Sequence, residues 1–181
     1  MHYNIVAAGV GGQGVLFISR ILGEMALKEG FYPCIGEVHG MSQRGGTVIA
    51  TVRISDRKEI GPLIKKGGAD ALVALEPLEA ARLVDMLSKD GIAVVNTHPI
   101  WIRDYPEVEG LIGLVEQRCE TKAYDALKVA KKSEGSVNMV MLGTLIGSGK
   151  TPLSEESAKS VLCERTNAEQ NLRCFEEGLR I

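Results

Sequence analysis

The sequence predicts an α/β domain spanning residues 1–181: a mostly parallel sheet with helices on both faces and a helical C-terminal third. Three observations carry that reading. An apolar strand pattern from Ile5 runs straight into the glycine-rich turn Gly9-Val-Gly-Gly-Gln-Gly14, and apolar residues then recur every three to four positions (Val15, Leu16, Ile18, Ile21, Leu22, Met25). Continuous apolar segments at 69–75 and 92–96 alternate with helical patterns, as strands covered on both faces require. Beyond residue 121, every periodic segment is helical in pattern. A chain of 181 residues, 45% hydrophobic, can bury one good core but has no room for a second large domain.

The order strand, turn, helix at the start is Rossmann-like, and Gly9, Gly11 and Gly14 fit G-x-G-x-x-G. Glycines permit a tight turn and close backbone approach, while a helix N-terminus points unpaired N–H groups and a positive dipole end at a phosphate. Gly12 and Gln13 complete this candidate cofactor-binding loop. The same glycines also suit helix-to-strand packing or partner contact, and the residues leave both readings open.

Dinucleotide enzymes place an acidic residue about 20 positions further on to hold a ribose hydroxyl, and Glu37 stands near that place. Its surroundings are unusual for such a clamp. Residues 36–46 crowd four glycines and five polar side chains into eleven positions. His39, Ser42, Gln43 and Arg44, with N–H groups around Gly45 and Gly46, can line a site and converge on an anion. A plain turn into a strand over 47–54 is the alternative. Residues 33–54 therefore form an antiparallel-looking insert in the parallel plan.

Further along, 69–75 is a buried strand, and a helix opens at Glu76-Pro77 and runs to about residue 88, since proline at the first helical position costs nothing. Another buried strand covers 92–96 and turns sharply at Asn96-Thr97-His98-Pro99. The apolar run 111–115 reads as one more strand. Helices are expected over 121–132, 137–147, 154–163 and 167–179. Gly147-Ser-Gly-Lys-Thr151 imitates the tail of a P-loop, but the glycine required five positions before Gly149 is Thr144. A helix C-terminus there, with Pro152 opening the next helix, suits the residues better.

With 21 basic and 23 acidic residues, the net charge of −2 argues against a nucleic-acid or anionic-membrane surface. No basic segment followed by an apolar core opens the chain, and no apolar run approaches the roughly 18 residues of a membrane span, so a cytoplasmic location is expected. Cys34, Cys119, Cys163 and Cys174 form no C-x-x-C and no ferredoxin-like run, which argues against an iron–sulfur site and for reduced thiols. His2, His39 and His98 are too scattered to suggest a metal. His98 follows a strand end, where open α/β sheets place ligand contacts.

The pair of segments Gly9-Val-Gly-Gly-Gln-Gly14 and His39-Gly-Met-Ser-Gln-Arg-Gly-Gly46, with Asn138-Met-Val-Met-Leu-Gly143 later, resembles the gamma-type module of the 2-oxoacid:ferredoxin oxidoreductases. Within that superfamily it is most similar to the small subunits of the indolepyruvate enzymes, and the likeness spans nearly the whole chain. The resemblance implies oxidative decarboxylation of a 2-oxoacid to an acyl-CoA, with electrons passed to ferredoxin. It also implies that thiamine diphosphate, magnesium and iron–sulfur clusters reside on a large partner subunit, with CoA as co-substrate and no cofactor bound by this chain alone. A homodimer contact in the isolated chain stays open, as does His39 contacting the 2-oxoacid carboxylate or merely bonding within its loop. Two other readings remain: a free-standing NAD(P)-binding oxidoreductase, and a non-catalytic module whose glycines serve packing.

Overall fold

The computed structural model describes residues 1–39, 46–58 and 61–181. Strand β1 (His2–Val10) places Ile5 and Ala7 in one core and Val6 and Ala8 in another, all of them fully buried. Only a central strand covered on both faces needs so continuous an apolar run. Helix α1 (Val15–Lys28) buries the stripe Val15, Ile18, Ile21, Leu22 and Met25, and each large side chain so buried is worth about 1.5–3 kcal/mol. Then follow β2 (Tyr32–His39), β3 (Thr47–Ser55), β4 (Ala69–Ala74), α2 (Pro77–Arg82), β5 (Leu87–Asn96), α3 (Val108–Glu116) and β6 (Glu120–Tyr124). Four helices close the chain: α4 (Ala126–Lys132), α5 (Val137–Gly147), α6 (Glu155–Cys163) and α7 (Ala168–Leu179).

The strands form one sheet of order β2-β3-β1-β4-β5-β6. The pairs β1–β4, β4–β5 and β5–β6 are parallel, while β1–β3 and β2–β3 are antiparallel. The sheet is thus mostly parallel, and the insert expected at 33–54 is a hairpin added beside β1. Helices α1 and α4 to α7 cover one face; α2 and α3 cover the other. The chain leaves β1 toward the first face and β4 toward the second. That divergence opens a crevice at the C-terminal ends of two adjacent parallel strands, the place where open α/β sheets bind ligands.

Some expected elements differ. Residues 111–115 lie inside α3, where Leu111, Ile112 and Val115 are buried and Leu114 is half exposed, a helical stripe concealed by a run of four apolar residues broken only by Gly113. The segment 121–132 divides into edge strand β6 and helix α4, because the Asp125 carboxylate accepts from the Lys128 N–H and so caps a helix that starts only at Ala126. The helix opened by Pro77 stops at Arg82; a short 3-10 turn follows, and β5 begins at Leu87, its start hidden in the sequence by polar Ser88, Lys89 and Asp90. Pro152 lies outside α6, which is capped by Ser154 accepting from the Ser157 N–H. The P-loop imitation is a helix end, with Gly149 at φ 67°.

Candidate functional site

The pairing registers bring the C-termini of β1, β4, β5 and β6, the start of β3 and the end of β2 to one edge of the sheet. There the turn after β1 is stapled by Gln13. Its Oε1 accepts from the Val10 N–H (2.7 Å) and its Nε2 donates to the Leu75 carbonyl (3.0 Å), tying the turn to the end of β4. A Cβ on Gly9 would lie 2.7 Å from that Oε1 and 3.1 Å from the Leu75 Cβ, so packing alone demands glycine there. Gly12 has φ 98° and open space around it. Gly14 caps α1 in the left-handed region (φ 88°), and a Cβ on it would lie 2.2 Å from Asn138 Nδ2.

Two N–H groups of the first turn of α1, those of Phe17 and Ile18, go to the Gly14 carbonyl, and the Gly11 N–H goes to the Gly46 carbonyl (3.0 Å). Among the described residues, nothing accepts from the N–H groups of Gly12, Gly14, Val15 or Leu16. These four donors at a helix N-terminus form the cradle that an oxyanion fits.

The second glycine segment reaches the same edge. His39 pairs with Val48 at the end of β2, Thr47 opens β3 opposite Val10, and Gly46 is bonded to Gly11. The two segments recognised in the sequence are therefore joined directly. The side chain of His39 and the whole of Gly40, Met41, Ser42, Gln43, Arg44 and Gly45 lie outside the described residues. Glu37 sits on β2, separated from β1 by β3, so two strand spacings of about 4.8 Å each keep it from the turn that a ribose clamp would have to serve. His98 is exposed just past β5, where its N–H donates to Asn96 Oδ1 (3.2 Å), and His2 is exposed at the start of β1.

Several polar residues here were not singled out from the sequence. Glu76, 2% exposed, caps α2 by accepting from the Glu79 N–H (3.1 Å), while its other oxygen takes the Tyr105 hydroxyl and the Ile100 N–H. Burial, then the bond to Glu76, holds the Tyr105 hydroxyl above the usual phenol range. Glu79, equally buried, receives the Thr47 hydroxyl (3.1 Å) and Arg82 (2.5 Å). Asn96 donates to the Leu75 carbonyl (3.1 Å) and accepts from the Ala126 N–H (3.0 Å), bracing the ends of β4 and β5 against the start of α4. The spacing Glu76-x-x-Glu79 after a strand is the signal that could have exposed the first pair, since a capping carboxylate sits three residues before the N–H that it accepts from. Beside Tyr105 a cavity of about 740 Å³ is lined by Thr97, Trp101, Val108, Ile112 and Glu116, among others.

All four cysteines are free. Among the described residues there is no group of three His, Cys, Asp or Glu able to hold a metal, and no helix is long and apolar enough to cross a membrane. The family model for pyruvate ferredoxin/flavodoxin oxidoreductase matches residues 4–181. Indolepyruvate oxidoreductase subunit IorB of Thermococcus kodakarensis is 38% identical over 99% of this chain and 95% of its own. The keto/oxoacid ferredoxin oxidoreductase gamma subunit of Geobacter sulfurreducens is 25% identical, with a TM-score of 0.73, covering 98% of this chain and 96% of its own. The pyruvate oxidoreductase subunit PORC of Thermotoga maritima, 24% identical with a TM-score of 0.77 over 99% and 96%, shares the fold. From the joined glycine segments to these near-full-length likenesses, the observations agree: the chain belongs to the pyruvate ferredoxin/flavodoxin oxidoreductase family.

Proposed function

We propose that this chain is the small subunit of a 2-oxoacid:ferredoxin oxidoreductase, completing the active site of a large catalytic subunit in the cytoplasm. An aryl pyruvate such as indolepyruvate is the proposed substrate, supported by the 38% identity to an indolepyruvate subunit. The observation that carries the reading is the bond from the Gly11 N–H to the Gly46 carbonyl, which joins two anion-suited segments at the mouth of the sheet. In this reading the open N–H groups of Gly12, Gly14, Val15 and Leu16 hold a phosphate group of CoA. Arg44, with Ser42 and Gln43, receives the carboxylate or phosphate of a ligand shared with the partner, and His39 stands beside it. Gln13 keeps the turn fixed against β4 so that these donors are aligned before the ligand arrives.

Thiamine diphosphate with magnesium, and iron–sulfur clusters, all held by the partner, would supply the decarboxylation and the electron path to ferredoxin. The fit is chemical: this chain offers backbone donors for an anion but no clustered thiolates or carboxylates among its described residues. The test is co-production with the large subunit, followed by CoA-dependent reduction of ferredoxin with indolepyruvate, phenylpyruvate, pyruvate, 2-oxoglutarate and branched 2-oxoacids. Highest kcat/KM for an aryl pyruvate is expected. Preference for pyruvate, 2-oxoglutarate or a branched acid would keep the subunit role and replace the substrate. A rise in melting temperature of the chain alone with NAD(P)H, and no activity in the complex, would favour the dinucleotide alternative.

A further inference from the structure

We propose that Asn138 is the side-chain donor of an anion site at the N-terminus of α1, taking an oxygen of a phosphate group. The inference rests on the reading of the glycine turn as a phosphate cradle and adds to it a residue from the far end of the chain. Asn138 is the second residue of α5 and is 8% exposed, yet its amide makes no hydrogen bond, and Oδ1 is fully enclosed without a partner. The fully buried unpaired atom is the acceptor Oδ1, which an anion does not satisfy; the donor Nδ2 also makes no hydrogen bond and is the end of the amide free to meet a partner that arrives from outside.

Its placement identifies that partner. The Nδ2 atom lies where Gly14 lacks a Cβ, 2.2 Å from the position such an atom would take, and so faces the turn whose N–H groups are open. Neither α1 nor α5 has a side-chain cap, and neither carries an acidic residue in its first turn. Two helix N-termini with uncompensated donors therefore flank one small region, and nothing of like charge from those turns opposes an anion there. An amide N–H is the neutral donor that such a cradle can bury without a counter-ion. This also resolves the role of Gly14: the space that it leaves is occupied by the group that meets the ligand, so packing and binding are one requirement there.

The phosphate could belong to CoA or be free, and binding by the complex with the large subunit separates these. CoA, dephospho-CoA and inorganic phosphate are titrated against wild type, Asn138→Ala and Asn138→Asp, with the melting temperature of each recorded. Loss of one bond to a charged group predicts CoA binding about 10-fold weaker for Asn138→Ala, and a carboxylate facing phosphate predicts about 100-fold for Asn138→Asp. If Asn138→Asp does not fold, Asn138→Ala decides alone. A defect toward CoA but not dephospho-CoA assigns the 3′-phosphate; an equal defect assigns the diphosphate. Inorganic phosphate bound in an Asn138-dependent manner without CoA binding would uphold the anion site and sink the CoA reading. Wild-type affinity in both variants would overturn the role of Asn138 and leave the turn's own reading standing. No binding of CoA or phosphate by wild type would overturn both.

Discussion

At the scale of single residues, the glycines of the first turn differ in what they require. Gly12 and Gly14 both have positive φ, but only Gly14 has a neighbour where a Cβ would stand. Alanine at position 12 should cost only the strain of a left-handed backbone, about 1 kcal/mol, whereas alanine at position 14 adds a clash with Asn138 and should cost about 3 kcal/mol. Denaturant unfolding of the two variants checks this, and equal losses would mean that the amide simply moves aside. In the proposed complex, Arg44→Ala removes a planar, permanently charged donor and should lower kcat/KM by a factor of about 30 to 1,000, with the melting temperature of the chain unchanged. Unaltered steady-state kinetics would make the loop structural. The spacing of Gly9, Gly11 and Gly14 was legible in the sequence because a strand before and a helix after make the motif meaningful. Asn138 was legible only as the first residue of the segment 138–143 that resembles the family's, since an asparagine near a helix start ordinarily reads as a cap. The approach of residue 138 to residue 14 is a tertiary fact that no local pattern encodes.

At the scale of elements, helices α5 and α7 cross at unusually close range. A Cβ on Gly143 would fall 2.1 Å from the Phe175 carbonyl oxygen, and one on Gly178 would fall 2.0 Å from that of Val140. Backbone cannot yield as a flexible side chain does, so Gly143→Ala should destabilise the chain by about 3 kcal/mol or more, a drop in melting temperature of several degrees. A second contact depends on pH. The Glu29 carboxylate just after α1 accepts from the Ser154 N–H (2.7 Å) at the cap of α6, and although burial acts to raise its pKa, bonds from Ser154 and Ser157 hold it below the usual carboxylate range. Because the folded pKa is the depressed one, the stabilisation is complete above the unfolded value of about 4.3 and disappears as pH falls through the folded value. Glu29→Ala should therefore melt below wild type at neutral pH, and the gap should close as the pH falls below the unfolded value and through the depressed folded one; a gap independent of pH would assign the effect to packing. The long elements were legible in advance: α1 and α7 by their periodic apolar stripe, and α5 by a continuous apolar run of helical length. The failures were short: 111–115 carries four apolar residues and a glycine that fit either period, and β6 is a half-buried edge strand whose polar residues mask the two-residue alternation.

At the scale of the whole molecule, one sheet edge gathers the glycine turn and the ends of the parallel strands, while the cysteines are dispersed through the fold. Cys34 lies on β2, Cys119 precedes β6, Cys163 ends α6 and Cys174 sits within α7. An iron–sulfur cluster needs several thiolates converging on one centre. Burial instead pushes the Cys119 and Cys174 thiols above the ordinary range, which disfavours the ligating form. The proposed division of labour places the electron carriers on another chain and gives this one the anion cradle at the mouth of the site. The dispersal of the cysteines was legible in the sequence, because their spacing is a local property; the joining of the two glycine segments was not, because it depends on β3 pairing antiparallel beside β1. The isolated chain is accordingly expected to purify without stoichiometric iron and to show no turnover of any 2-oxoacid with ferredoxin or an artificial acceptor. Mixing it with the large subunit should raise activity in proportion to the complex formed, saturating at a fixed ratio of the two chains. Elemental analysis and a titration of activity against added chain measure both quantities. Iron in the purified chain, or turnover by it alone, would place the redox centre here and undo the division of labour.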